Sequence, residues 1–139
     1  MREILLVSHG TMAQGVYEAA KMIYGDLNQV AYICLEEGLG IERFTEMLSE
    51  KIEKASGAEE IIVLADLMGG SPYNTCVSLL AEKALLDQSK VISGLSLPLL
   101  LVVLLEQSKL EGHTLEQVLQ SARMGIDFFQ LAEESDDEL

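Results

Sequence analysis

Residues 4–10 read Ile4-Leu5-Leu6-Val7-Ser8-His9-Gly10. An unbroken apolar run that ends in a small polar residue, a histidine and a glycine, with a helical pattern after it, describes a buried parallel strand running into a loop. In an open α/β sheet, ligands bind in the crevice at the carboxyl ends of the strands. An imidazole delivered there is a candidate nucleophile, base or metal ligand.

The rest of the chain repeats this alternation. Strands are expected over Glu3–Val7, Val30–Cys34, Ile61–Ala65 and Val91–Ser93, and helices over Met12–Tyr24, Ile41–Lys54 and Tyr73–Leu86. The first helix carries Val16, Ala19, Ala20 and Ile23 at helical spacing and meets Gly25 just past its end. The second sets Ile41, Phe44, Met47, Leu48 and Ile52 on one stripe and charged residues outside it. This order implies a doubly wound parallel sheet with helices on both faces.

Beyond the fourth strand the pattern changes. Leu97–Gln107 is apolar nearly all round and is expected to be buried, in part against a second subunit. Thr114 opens another helix, with Gln117 as its capping-box partner, running to about Met124 and ended by Gly125. Ile126–Leu131 is the candidate for a short final strand. The run Glu133–Glu138 reads as a solvated tail, so one domain is expected over residues 1–131, with residues 132–139 as an acidic extension.

A chain of 139 residues is long enough for one well-packed core. A net charge of −14 excludes a phosphate-backbone ligand such as nucleic acid, which needs clustered Lys and Arg, and it favours basic protein partners or plain solubility. Cys34 and Cys76 lie apart in apolar segments without metal-type spacing and are read as buried, reduced thiols. The longest apolar stretch, Leu97 to Leu105, falls short of the ~20 residues that cross a bilayer, and no signal peptide opens the chain. A cytoplasmic protein is expected.

The second informative stretch is Asp66-Leu67-Met68-Gly69-Gly70-Ser71-Pro72-Tyr73-Asn74, directly after the third strand. Ser71 and Pro72 read as the N-cap and first residue of a helix, and the glycines let backbone approach a ligand. Free amides at such a helix start suit an anion, although a tight turn without ligand has the same signature. With strand one between strands two and three, His9 and Asp66 fall on neighbouring strand ends. A carboxylate on Nδ1–H fixes the tautomer and frees Nε2 to attack, which points to phosphoryl transfer through phosphohistidine. The bland readings are a strand-end histidine satisfied by a carbonyl and a loop or cap carboxylate at Asp66. Thr11 fits an N-cap of the first helix as well as a phosphate contact. Asn74 reads as a packing or turn residue, and His113 as an exposed loop residue without a role. No third ligand accompanies His9 and Asp66 at a recognisable metal spacing.

These motifs, together with Ser93-Gly94-Leu95-Ser96-Leu97-Pro98-Leu99-Leu100, resemble the EIIA component of the mannose/fructose/sorbose-type sugar phosphotransferase system (PTS), over essentially the whole chain up to the acidic tail. The resemblance implies an α/β sheet of order 2-1-3-4 in a homodimer, with a late strand exchanged between subunits. It implies that His9 accepts phosphate from HPr and passes it to an EIIB partner, and through it to the membrane EIIC and EIID components, with peripheral association at the membrane. Asp66 would pair with His9, while Gly10, Thr11, Gly70 and Ser71 would line the phosphate site, without cofactor or metal. Ser96 departs from the Asn found in many members. No EIIB-like segment follows, so a separate partner chain is expected. A related branch donates phosphate to a dihydroxyacetone kinase, usually with a shorter Met-Gly-Ser turn, so Gly-Gly-Ser-Pro favours the sugar system.

Three other classes compete. A receiver-like module needs an acidic Mg²⁺ cluster where this chain has Ser8 and His9. A hydrolase would need Ser71 in a strained elbow, which Pro72 argues against. A non-catalytic dimeric module would use the anion site to sense a metabolite.

Overall fold

A computed structural model describes residues 1–132. Its elements in chain order are β1 (Arg2–His9), α1 (Met12–Tyr24), β2 (Val30–Leu35), α2 (Ile41–Ala55), β3 (Glu60–Ala65), α3 (Ser71–Glu82), β4 (Ser89–Ser93), α4 (Leu97–Leu105) and α5 (Gly112–Arg123). The four strands form one parallel sheet of order β2-β1-β3-β4, as the alternating pattern and the family resemblance imply.

The sheet separates two cores. Ile4 and Leu6 of β1 face Ala13 and Ala20 of α1 and the apolar side of α4. Leu5 and Val7 point the other way, toward Phe44, Leu48 and Ile52 of α2 and Leu79 and Leu80 of α3. Strands covered on both faces have no polar side to alternate with, which is why β1 and β3 read as continuous apolar runs. Cys34 lies in the first core and Cys76 in the second, both free and buried. Burial alone pushes the Cys76 thiol up to about 12.

Several boundaries differ from the sequence expectation, each for a local reason. Helix α3 stops at Glu82, not Leu86, in a Schellman motif. The Ala84 amide donates to the Ala81 carbonyl and the Leu85 amide to the Leu80 carbonyl, with Ala84 at φ 58. The same closure buries Leu85 beside Leu80. Helix α4 stops at Leu105, not Gln107, where Glu106 turns extended. The Arg2 guanidinium crosses from the start of β1 to bind the carbonyls of Val103, Glu106 and Ser108 there. A cation at a helix C-terminus complements the dipole.

Helix α5 starts at Gly112 with Glu111 before it, so Thr114 and Gln117 lie inside the helix and form no capping box. His113 accordingly sits in its first turn, exposed, and not in a loop. Ser96 caps α4, its hydroxyl accepting from the Leu99 amide at 3.2 Å. Gly125 follows α5 in close contact with Pro98, where a β-carbon would lie 2.8 Å from the proline Cβ. The expected strand Ile126–Leu131 is irregular in the single chain, because a strand needs a neighbouring ladder and these residues meet none among the described residues. Ile126, Phe128, Phe129 and Leu131 are all exposed. The acidic run Glu133–Glu138 lies outside the described residues.

Candidate active site

The sheet order puts β1 and β3 side by side where the chain's winding reverses, and their carboxyl ends lie at the switch point where such sheets bind ligands. His9 is the last residue of β1, and Asp66 follows β3 directly. The structure brings them into contact. Asp66 Oδ2 accepts from the His9 backbone amide at 2.9 Å and pairs with His9 Nδ1 at 2.8 Å. An ionised carboxylate can only accept, so in the neutral ring the proton is assigned to Nδ1, which leaves the lone pair on Nε2.

The two partners are unequally covered: the His9 side chain is 48% exposed and that of Asp66 11%. A reactant therefore reaches the imidazole and not the carboxylate. All hydrogen bonds made by the carboxylate run through Oδ2 to His9, and the buried Oδ1 has no partner among the described residues. Its charge is thus shared with no other donor, which suits it to stabilising a ring that becomes cationic.

Of the expected phosphate-site residues, Gly70 borders the same ring, Gly10 and Thr11 follow His9 in the chain, and Ser71 opens α3. The Gly10 amide donates to the Leu35 carbonyl at 2.8 Å, and the Gly70 amide to the Leu67 carbonyl at 3.1 Å. Both amides are thus engaged. Gly10 sits at φ +58, a turn conformation that glycine adopts without strain. Gly70 serves close approach instead: a β-carbon there would lie 2.9 Å from His9 Cε1. Ser71 is the first residue of α3 and not its cap, a position held by Gly70, and Pro72 follows it in the first turn. Ser71 is exposed, and its amide has no backbone partner among the described residues. Together with the helix start, it is the available anion donor.

Thr11 precedes α1, yet its side chain makes no capping bond. The hydroxyl that caps this helix belongs to Ser8, fully buried, whose Oγ accepts from the Ala13 amide at 2.7 Å. Thr11 is left exposed beside His9 in sequence. No motif marks Ser8 as a capping residue. Its signal was a hydroxyl closing an apolar strand, where a buried polar atom needs a partner. Asn74 has the turn role expected of it: its side-chain amide donates to the Gly69 carbonyl at 2.9 Å.

The architecture and motifs have known counterparts. A family model described as "PTS system fructose IIA component" matches residues 3–122. The fructose-specific EIIA component of Bacillus subtilis is 30% identical over 104 residues, covering 75% of this chain and 69% of that protein. The sorbose-specific EIIA component of Klebsiella pneumoniae is 33% identical over 123 residues, 87% of this chain and 86% of the relative. Among solved structures, the phosphotransferase system component EIIA from Streptococcus agalactiae superposes with a TM-score of 0.78 at 28% identity, covering 92% of this chain and 97% of that one. Sheet order, paired motifs and alignment across most of the sequence agree, and the chain belongs to the mannose/fructose/sorbose-type EIIA family of the sugar phosphotransferase system.

Proposed function

We propose that this chain is a phosphoryl carrier, accepting phosphate from phospho-HPr on His9 Nε2 and passing it to an EIIB partner during sugar uptake. The observation that carries the reading is the 2.8 Å contact between His9 Nδ1 and Asp66 Oδ2. With Nδ1 engaged, the nucleophilic lone pair belongs to Nε2, on a side chain that a partner can reach.

In the first transfer, the donor's P–N bond breaks as the His9 Nε2–P bond forms. The Nδ1 proton stays directed at Asp66, and the carboxylate balances the positive charge the ring acquires. The second transfer runs the same steps outward. Phosphoryl transfer through a loose transition state depends on positioning and on donors to the equatorial oxygens. The Ser71 amide and the Ser71 and Thr11 hydroxyls fill that role, while Gly10 and Gly70 keep space for the group.

Residues 1–131 form the working domain on this reading, with residues 132–139 as an acidic extension. The site of action is the cytoplasmic side of the membrane, at which EIIB links the chain to EIIC and EIID. No helix among the described residues is long and apolar enough to cross a membrane.

The test is incubation with phosphoenolpyruvate, enzyme I and HPr, followed by intact mass. The expected product carries one phosphoryl group per chain, acid-labile and base-stable, and is absent in His9→Ala. A folded wild-type chain that takes up no phosphate would remove the proposal.

The homodimer is supported by the exposure of Ile126, Phe128, Phe129 and Leu131, an apolar set that one chain leaves in water. A second copy that pairs with this segment as a strand would cover it. Light scattering on the full chain should return the mass of a dimer, and truncation after Gly125 that of a monomer. A monomeric full chain at micromolar concentration rules this part out.

A further inference from the structure

Asn74 stands exposed in the first turn of α3, where burial makes no demand for an amide. Its side-chain Nδ2 donates to the Gly69 carbonyl at 2.9 Å. Its backbone amide donates to the Gly70 carbonyl at 2.9 Å, and the Gly70 amide to the Leu67 carbonyl at 3.1 Å. The peptide linking Gly69 to Gly70 is therefore held at both polar ends, and its carbonyl end is held by the Asn74 side chain.

That linkage matters because nothing else stiffens it. Gly69 lies at φ +80, and neither glycine has a side chain to anchor the peptide plane. The linkage also borders the histidine: a β-carbon added to Gly70 would come 2.9 Å from His9 Cε1, so the glycine backbone lies one bond further from the ring. Cε1 joins the two ring nitrogens. A wall against that carbon limits rotation about Cβ–Cγ, the torsion that sets both the Nδ1 contact with Asp66 and the aim of Nε2. Without the Asn74 amide, only the Gly70 bond to the Leu67 carbonyl would hold this planar peptide, and the wall would be less firmly placed.

We infer that Asn74 is a positioning residue for His9, acting through the Gly69–Gly70 linkage. The kinetic consequence rests on the phosphohistidine reading above, whereas the structural one does not.

Two variants test it. Asn74→Asp is isosteric, cannot donate to the carbonyl, and places a negative charge where the start of α3 favours one, so the fold is retained. Asn74→Ala removes the group altogether. In nitrogen-15 spectra of the unphosphorylated protein, the wild-type His9 ring should show one neutral tautomer with the proton on Nδ1. Both variants should show averaged ring signals. At saturating phospho-HPr, both should transfer roughly tenfold more slowly, with KM within about twofold of wild type, as expected when a nucleophile is aimed less well. Wild-type ring spectra in both variants, or a change confined to KM, would overturn the inference. If the wild type accepts no phosphate, the carrier reading fails by itself, and the ring spectra still decide the role of Asn74.

Discussion

Replacing Gly70 with alanine is expected to slow phosphorylation of His9 by about 100-fold, the scale associated with a displacement of about 1 Å at a reacting group. The backbone itself does not resist the change. Gly70 sits at φ −75 and ψ 169, extended values that any residue adopts, and it caps α3 without a side-chain bond. The conflict is with the histidine: the new methyl would lie 2.9 Å from His9 Cε1 and 3.3 Å from the Leu67 carbonyl. The Leu67 carbonyl is fixed by its bond to the Gly70 amide, so the ring is the part that yields. It then gives up either the Asp66 contact or the direction of Nε2. Urea unfolding of Gly70→Ala should stay close to wild type while the transfer rate collapses. A wild-type rate would mean that the ring has room the geometry does not allow it.

Arg2→Ala should have the opposite profile, a large loss of stability with the site chemistry left as it was. Arg2 and Glu60 are register partners at the amino ends of β1 and β3, and Arg2 Nε meets Glu60 Oε1 at 2.7 Å. Glu60 is buried, and its other oxygen accepts from the Leu110 amide at 2.6 Å. The guanidinium also binds the three carbonyls where α4 ends. Removing it strands a buried carboxylate and unpairs those carbonyls, which costs about 3–5 kcal/mol. Against a typical domain stability of about 5–15 kcal/mol, that is a major fraction. Urea denaturation measures it, and a loss below about 1 kcal/mol would show the pair to be solvated. The double change Arg2→Met, Glu60→Leu should recover only the part due to the buried charge, because the α4 carbonyls and the Leu110 amide stay without their partners. His9 lies at the far end of β1, about 23 Å away at the rise of a strand, so the folded fraction should still transfer phosphate.

The readable parts of the sequence were those with strong periodicity. The apolar runs located all four strands, and the pattern of α1 gave its limits outright. The pairing of His9 with Asp66 followed from strand adjacency, because both stand at the ends of apolar runs. Caps were harder to read. Ser71 has the right residue type, but Gly70 takes the position; Thr11 holds its N-cap position while Ser8 supplies the capping hydroxyl, and only the fold reveals that Ser8 is buried within reach of Ala13. The Arg2–Glu60 pair was also hidden. Each residue looks like an ordinary charged strand end until the register of β1 on β3 aligns them. Ile126–Leu131 has strand-forming residues without a partner among the described residues, and local sequence holds no information about a missing neighbour.

The two cysteines lie on opposite sides of the sheet. A disulfide between them would have to pass through the β-layer, and the Cys76 thiol, held protonated by its surroundings, is a poor target for oxidants. A chain built in this way keeps both thiols out of solvent, and the sulfur it offers to peroxide is that of exposed methionines such as Met22, Met68 and Met124. Thiol–disulfide exchange within one chain is therefore closed off by the sheet itself, and any oxidative change would fall on surface thioethers instead, Met68 in the turn after Asp66 among them.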